Sequence, residues 1–239
     1  MNWDADGYIL SVQPHGETSA IIHVLTRDKG RHAGMVRGGR SRRLRPVLQP
    51  GNQVSLHWNA RLSEHLGVFT VEAIDARAAI LMQGRASLAG LNAVSALCMQ
   101  ALPEREAHPN LYDMFEILMA QLHDIDVWPA LYVRFEMAIL QALGYGLDLS
   151  QCAATGATEN LTHVSPRSGR AVCAGAAQPY LDKLLPLPPF LKGENKVSDG
   201  DIEHGLALSG YFLKSRVFYA VNKDLPEARG RMIRALNSE

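Results

Sequence analysis

Between Arg27 and Arg45, eight of the chain's 24 lysines and arginines fall within nineteen positions, opposed only by Asp28. The stretch contains Arg37-Gly38-Gly39-Arg40-Ser41-Arg42-Arg43. Guanidinium groups make forked contacts with phosphate oxygens, and glycine lets a backbone turn sharply or approach a partner closely. Such a local field favours a polyanion, nucleic acid above all. The candidate contacts are Lys29, Arg31, Arg37, Arg40, Arg42, Arg43 and Arg45. Each phosphate they neutralise would release counterions, giving sequence-independent affinity that falls steeply with salt. The competing readings are a solvated charged loop and an adaptor whose basic loop binds an acidic protein.

Other chemistry is thinly represented. No Gly-Lys-Ser/Thr ending converts Gly34–Ser41 into a phosphate loop, and Gly-x-Ser-x-Gly and His-Glu-x-x-His are absent. The nine histidines are scattered. Cys152 with His163 would be a nucleophile and base without an oxyanion hole, so no catalysis is expected. Base stacking has few platforms: Trp3, Tyr8, Trp58 and Phe69. Trp58 alternates in phase with Val54 and Leu56, which predicts burial. A second basic group, Lys214, Arg216, Lys223, Arg229, Arg231 and Arg234, is interleaved with acids and reads as helix-surface charge.

The elements that would carry these residues follow from periodicity. Residues 1–80 are predicted to form short strands broken by turns. Tyr8, Leu10 and Val12 alternate with Gly7, Ile9 and Ser11, the period of a half-buried strand. Residues 20–26 form a second strand, Asp28-Lys29-Gly30 has hairpin-turn chemistry, and residues 31–37 form a third. Pro50-Gly51 turns the chain into a strand over 54–60, and a fifth covers 67–74. Five short strands suggest a small closed barrel of the oligonucleotide-binding (OB) type, with an SH3-like barrel satisfying the same pattern.

From about residue 85 the period becomes helical. One stripe joins Leu88, Leu91, Val94, Cys98 and Ala101. Another runs from Leu111 to Leu122 with Asn110 as N-cap, and a third from Trp128 to Leu143 ends at Gly144. Ser198 and Asp201 open a fourth helix, carrying Ile202, Leu206, Leu213, Val217 and Val221 inward. Asp224 with Glu227 resembles a capping box before a terminal helix. Residues 150–189 read as an irregular insert with one hairpin around Arg167-Ser168-Gly169. The expected architecture is α+β: a DNA-binding barrel over 1–80, then an all-helical domain over 81–239 carrying the insert.

Composition sets the outer limits. With 239 residues, 47% hydrophobic and 20% charged, the chain reads as globular. No apolar run approaches the ~20 residues that span a bilayer. The acidic start, Met1-Asn2-Trp3-Asp4, lacks a signal-peptide layout. Three widely spaced cysteines make no disulfide framework. A cytoplasmic location is expected.

The order of these features resembles the RecO recombination-mediator family. The resemblance is carried by Gly16-Glu17-Thr18-Ser19, Thr26 to Gly30, Arg37-Gly38-Gly39-Arg40-Ser41 and Gln49-Pro50-Gly51. It continues through Arg134-Phe135-Glu136, Leu143-Gly144-Tyr145 and Gly210-Tyr211-Phe212-Leu213. It implies an OB domain, a helical domain, and a nucleoid-associated protein without catalysis. Its members bind single- and double-stranded DNA, anneal complementary strands, engage the acidic C-terminal tail of single-strand-binding protein, and work with RecR to load RecA. A tail of that chemistry needs a greasy pocket with cations at its rim, for which Arg134, Lys214 and Arg216 are candidates. Metal-binding members carry two Cys-x-x-Cys pairs. Here one cysteine remains of each pair, Cys152 and Cys173. Two thiolates, even with His163, fall short of a tetrahedral shell. The insert is therefore expected to be a degenerate zinc-finger-like segment, and the protein to use no cofactor.

Overall fold

Five strands occupy the first 75 residues: β1 (Asn2–His15), β2 (Ser19–Thr26), β3 (Gly30–Val36), β4 (Gln53–Asn59) and β5 (Val68–Asp75). The structure, a computed structural model, describes residues 1–194, 197–198 and 200–238. β1 is long enough to pair antiparallel with two neighbours, β2 along its second half and β4 along its first. β2 pairs antiparallel with β3, and β4 with β5. β3 meets β5 in parallel at Met35 and Val68. The order β1-β2-β3-β5-β4 returns to β1.

The side chains enclosed by this sheet are aliphatic and aromatic: Ile9, Ile22, Val24, Val54, Leu56, Trp58 and Phe69 are each at most 2% exposed. Burying one such side chain stabilises by about 1.5–3 kcal/mol, while strand propensities span only about 1 kcal/mol. The choice of inward face therefore sets the register.

Helices follow: α1 (Ala78–Leu81), α2 (Arg85–Ala101), α3 (Pro109–Gln121) and α4 (Trp128–Ala142). The insert holds β6 (Leu161–Val164), β7 (Ala171–Cys173), the single turn α5 (Ala174–Ala177) and β8 (Leu185–Pro186). Two more helices, α6 (Asp201–Phe212) and α7 (Glu227–Leu236), complete the chain. Among the described residues no helix is long and apolar enough to cross a membrane.

The chain packs as two compact units: Met1–Ile125 with Pro226–Glu239, and Asp126–Leu225. The change from strand to helix period near residue 80 is real, but packing divides the chain later. The reason is that α2 lies against α7, and Tyr8 of β1 packs on Tyr112 and Phe115 of α3. This also changes the reading of β1. Alternation predicted one buried face, yet Gly7, Tyr8, Ile9 and Leu10 are all buried. Ile9 points into the sheet's core while Tyr8 is covered by α3, and the register shifts between Ile9 and Ser11.

In the second unit the expectation of an all-helical domain with an irregular insert is corrected. β6 pairs antiparallel with both β7 and β8, and residues 165–170 form the hairpin turn. Helix starts are also displaced from the sequence reading. α3 begins with Pro109 at its first position, where a missing N–H costs nothing, so Asn110 lies inside it. α6 is preceded by Gly200, and the Asp201 carboxylate accepts the Ser198 N–H at 2.7 Å. α7 follows Pro226, and Asp224 pairs instead with Lys214. Beyond α6 the backbone widens into a π-helical turn over Leu213–Phe218. Such a turn rotates the following residues off the 3.6-residue stripe, and Val221 ends 57% exposed rather than inward.

Candidate nucleic-acid interface

The Arg37–Asn52 segment is a loop built by its own hydrogen bonds. Gly38 takes φ +66°, and the Gly39 N–H donates to the Val36 carbonyl at 3.2 Å. Gly39 sits against Ala20 and Leu48, where an added Cβ would lie 2.9 Å from the Ala20 Cβ. The Arg40 N–H donates to the Thr18 carbonyl at 2.9 Å and its guanidinium to the Gly16 carbonyl at 2.9 Å. Both bonds tie the loop to the β1–β2 turn.

A helical turn comes next. Ser41 Oγ accepts the Leu44 N–H, the Ser41 carbonyl accepts the Arg45 N–H, and the Leu44 carbonyl accepts the Leu48 N–H. This serine cap satisfies an N–H that the turn itself leaves over. The turn is amphipathic: Leu44, Val47 and Leu48 pack on the core of the sheet, while Arg42, Arg43 and Arg45 are exposed. Asn52, 3% exposed, closes the loop. Its amide donates to the Pro46 and Val47 carbonyls, and its carbonyl accepts the Ala78 N–H. No sequence signal singled out Asn52; a polar residue one place after a Pro-Gly turn is usually solvated.

Among the described residues, Arg37, Arg40, Arg42, Arg43 and Arg45 form no ion pair with a carboxylate, and all five are exposed. Beside them a cavity of about 500 Å³ has Val12, Ala20 and Leu48 on its floor and Arg40 and Arg45 in its wall.

The remaining cations of the cluster are elsewhere. Lys29 is exposed in the β2–β3 turn, at the other end of β3 from Arg37, roughly 25 Å away at ~3.3 Å per residue. Arg31 is drawn inward: its Nε donates to the Leu102 carbonyl at 2.9 Å and its Nη1 lies 3.0 Å from Glu104 Oε1. Arg27 pairs with Asp113 at 2.9 Å, and this hydrogen-bonded guanidinium holds the Asp113 carboxyl below its usual range. The structure thus divides one sequence cluster into a solvent-facing set on the loop, an exposed Lys29 in the β2–β3 turn, and Arg27 and Arg31 engaged by the unit's own carboxylates.

In the second unit, Arg134 donates to the Phe190 carbonyl at 2.8 Å and lies over the Phe190 ring. Lys214 is exposed and 3.5 Å from Asp224. Arg216 stacks over Phe212 with its guanidinium carbon 4.5 Å from the ring centre. The three do not converge on one site in the bonds they make.

Cys152 and Cys173 are brought together. The Cys173 N–H donates to Cys152 Sγ at 3.3 Å, and the Thr155 hydroxyl lies 3.5 Å from Cys173 Sγ. Hydrogen bonds from Thr155, then from the Cys173 N–H, hold the Cys152 thiol below the ordinary cysteine range. The His163 ring is hydrogen-bonded to the Thr162 hydroxyl. Among the described residues no three His, Cys, Asp or Glu side chains converge as metal ligands. The donor set at the two cysteines does not fit a zinc centre, which needs four.

Two family models cover most of the chain: recombination protein O N terminal over residues 1–77, and recombination protein O C terminal over residues 82–223. Proteins named DNA repair protein RecO are similar along their whole length. The one from Ruegeria sp. (strain TM1040) is 50% identical, with 99% of this chain and 98% of the relative aligned. That from Methylorubrum extorquens (strain PA1) is 47% identical over 98% and 97%. The Caulobacter vibrioides (strain NA1000 / CB15N) protein is 47% identical over 96% and 95%. With both halves matched in order and identity near one half from end to end, the chain belongs to the RecO family.

Proposed function

We propose that this protein is a DNA repair and recombination mediator that binds single- and double-stranded DNA without catalysing covalent chemistry. The observation that carries the reading is the loop of five exposed arginines with no carboxylate partner among the described residues, held on the sheet by Leu44, Val47 and Leu48. In this reading the five-stranded ring is an OB-type barrel, and Arg37, Arg40, Arg42, Arg43 and Arg45 contact phosphates. Lys29 touches a more distant part of the strand, while Arg31 supports the fold.

Neutralising two phosphate backbones lowers their mutual repulsion, a sufficient basis for annealing complementary strands. The wider reading, with RecR as partner, engagement of the acidic tail of single-strand-binding protein and loading of RecA, rests on family membership. Lys214 and Arg216, the outer cations of the second unit, are the proposed tail contacts; Arg134 is better explained as a clamp on Phe190. The division into a DNA-binding segment over 1–80 and a helical segment over 81–239 carrying the insert is kept as a functional one. The insert is read as a degenerate zinc-finger-like element without metal, and the protein as acting near the nucleoid in the cytoplasm.

The test is a strand-annealing assay with and without single-strand-binding protein, in the absence of ATP. Faster pairing of complementary strands is expected, with loss of the effect in the Arg37/Arg40/Arg42/Arg43 alanine variant. Unchanged pairing in the presence of wild-type protein overturns the reading. Retained binding of an acidic protein with negligible DNA affinity at moderate salt would favour the adaptor.

A further inference from the structure

Away from the arginine loop, at the β2–β3 turn, the first unit carries an aromatic cluster that the loop chemistry does not use. Trp3 of β1 stands opposite Trp58 of β4 in the sheet register. Their rings stack with centres 5.6 Å apart and planes 19° from parallel. Trp58 is 2% exposed and its indole N–H donates to the Leu66 carbonyl at 3.0 Å, so it is fixed. Trp3 is only half-buried. The His32 ring presents itself edgewise to both indoles, with centres 5.1 and 5.0 Å away.

These three rings line a cavity of about 520 Å³ whose wall also holds Lys29, Arg105 and Asp28. Arg105 adopts φ +64°, a left-handed conformation that an arginine holds only when its surroundings fix it. Its guanidinium donates to the carbonyls of Ser63, Glu64 and His65. Carbonyls satisfy the N–H groups without neutralising the charge. Lys29 forms no ion pair among the described residues, so it, Arg105 and the Met1 terminal ammonium, which donates to the Ala60 carbonyl, stand against Asp28 in the wall, with the Glu64 carboxylate outside the lining but within the field of Arg105.

We infer that this cavity is a second nucleic-acid contact, taking one unpaired nucleobase against Trp3 with the adjoining phosphate on Lys29 and Arg105. A half-exposed indole backed by a buried one is a rigid stacking surface, and every base has a π-face to offer it. Phosphate beside the base suits the two cations, and a base hidden in a duplex stack could not enter. The site therefore distinguishes single strands from duplex, which the arginine loop, reading only phosphates, does not. The inference rests on the DNA-binding reading above.

The experiment compares equilibrium binding of the full chain to a twelve-residue oligothymidylate and to an abasic strand of equal length and charge. Wild-type protein is expected to bind the base-bearing strand about tenfold more tightly, the scale of one base–aromatic stack. Trp3→Ala should abolish that ratio and Trp3→Phe should retain most of it, both leaving duplex affinity unchanged. An alanine variant of the loop arginines should weaken binding to both strands while keeping the ratio. Equal wild-type affinity for the two strands overturns the inference even if Trp3→Ala does not fold. A wild-type preference that survives in Trp3→Ala also overturns it. If wild-type protein binds neither strand, the underlying DNA-binding reading falls as well.

Discussion

The Arg31 guanidinium lies 3.0 Å from the Glu104 carboxylate and also donates to the Leu102 carbonyl, with its side chain 12% exposed. A cation that reads from sequence as part of a phosphate-binding run is a structural strut between β3 and the segment after α2. Arg31→Ala is expected to destabilise the first unit by about 1–2 kcal/mol, through removal of the charge-assisted hydrogen bond and a buried carbonyl left without its donor. DNA affinity per folded molecule should change little. Urea denaturation together with a binding isotherm checks both halves.

The loop arginines should behave in the opposite way. Alanine at Arg37, Arg40, Arg42 and Arg43 removes exposed charge without touching Leu44, Val47 or Leu48, and costs the exposed Arg40 bond to the Gly16 carbonyl, so stability should fall by no more than about 1 kcal/mol. The slope of log affinity against log salt should shrink by about 0.7 on single strands, and about 0.9 on duplex, for each phosphate no longer neutralised. An unchanged slope would remove the loop from the interface.

Much of the fold was legible from residue pattern alone. The strands, the Asp28-Lys29-Gly30 hairpin, the Gly144 stop with its φ of +81° and the inward Trp58 follow from alternation and turn chemistry. What pattern cannot show is which distant carboxylate approaches a given arginine. Glu104 and Asp113 lie 73 and 86 positions beyond their partners, so Arg27 and Arg31 look as free in sequence as Arg42. Burial of β1 on both faces was hidden for the same reason, since α3 supplies the second cover. The three-stranded sheet of the insert escaped notice because its strands are four, three and two residues long, too short for a period to declare itself.

Acid should weaken the first unit before its carboxylates titrate. Burial holds the His32 imidazole below the ordinary histidine range, with the Ala33 carbonyl opposing it. His23 is lowered in the same sense, first by burial and then by Arg31. The unfolded chain binds protons at about pH 6.5 that these folded rings refuse. Their contribution is therefore complete above about 6.5 and declines as the pH falls. The lowered carboxylate of the Arg27 pair, Asp113, enters only below about pH 4. Denaturation midpoints should be lower at pH 5.5 than at 7.5, and His32→Phe should flatten the difference.

The three thiols should be chemically distinct. Cys98 is fully buried on α2 and burial raises its pKa. Cys152 is 1% exposed, and only Cys173 is partly open to solvent. Alkylation of native protein should modify Cys173 first and Cys98 last, with all three reacting after denaturation. Purified protein should carry well under one equivalent of zinc, and chelator should leave its melting temperature unchanged.

Gly67 has φ +67°, and a Cβ there would lie 2.3 Å from the Trp58 indole nitrogen. Gly67→Ala should cost about 1–2 kcal/mol for the left-handed backbone alone, plus the displacement of the ring. A shift in native tryptophan fluorescence that persists when Trp3 and Trp128 are replaced by Phe would identify Trp58 as the residue moved.

The loop that presents the arginines hangs from three aliphatic side chains embedded in the sheet. Its backbone is therefore ordered when the protein folds, not when a ligand arrives, and a strand bound as proposed would meet cations whose spacing is already set. Association should proceed at a rate governed by encounter and ionic strength rather than by any loop rearrangement, and binding should show only a small heat-capacity change.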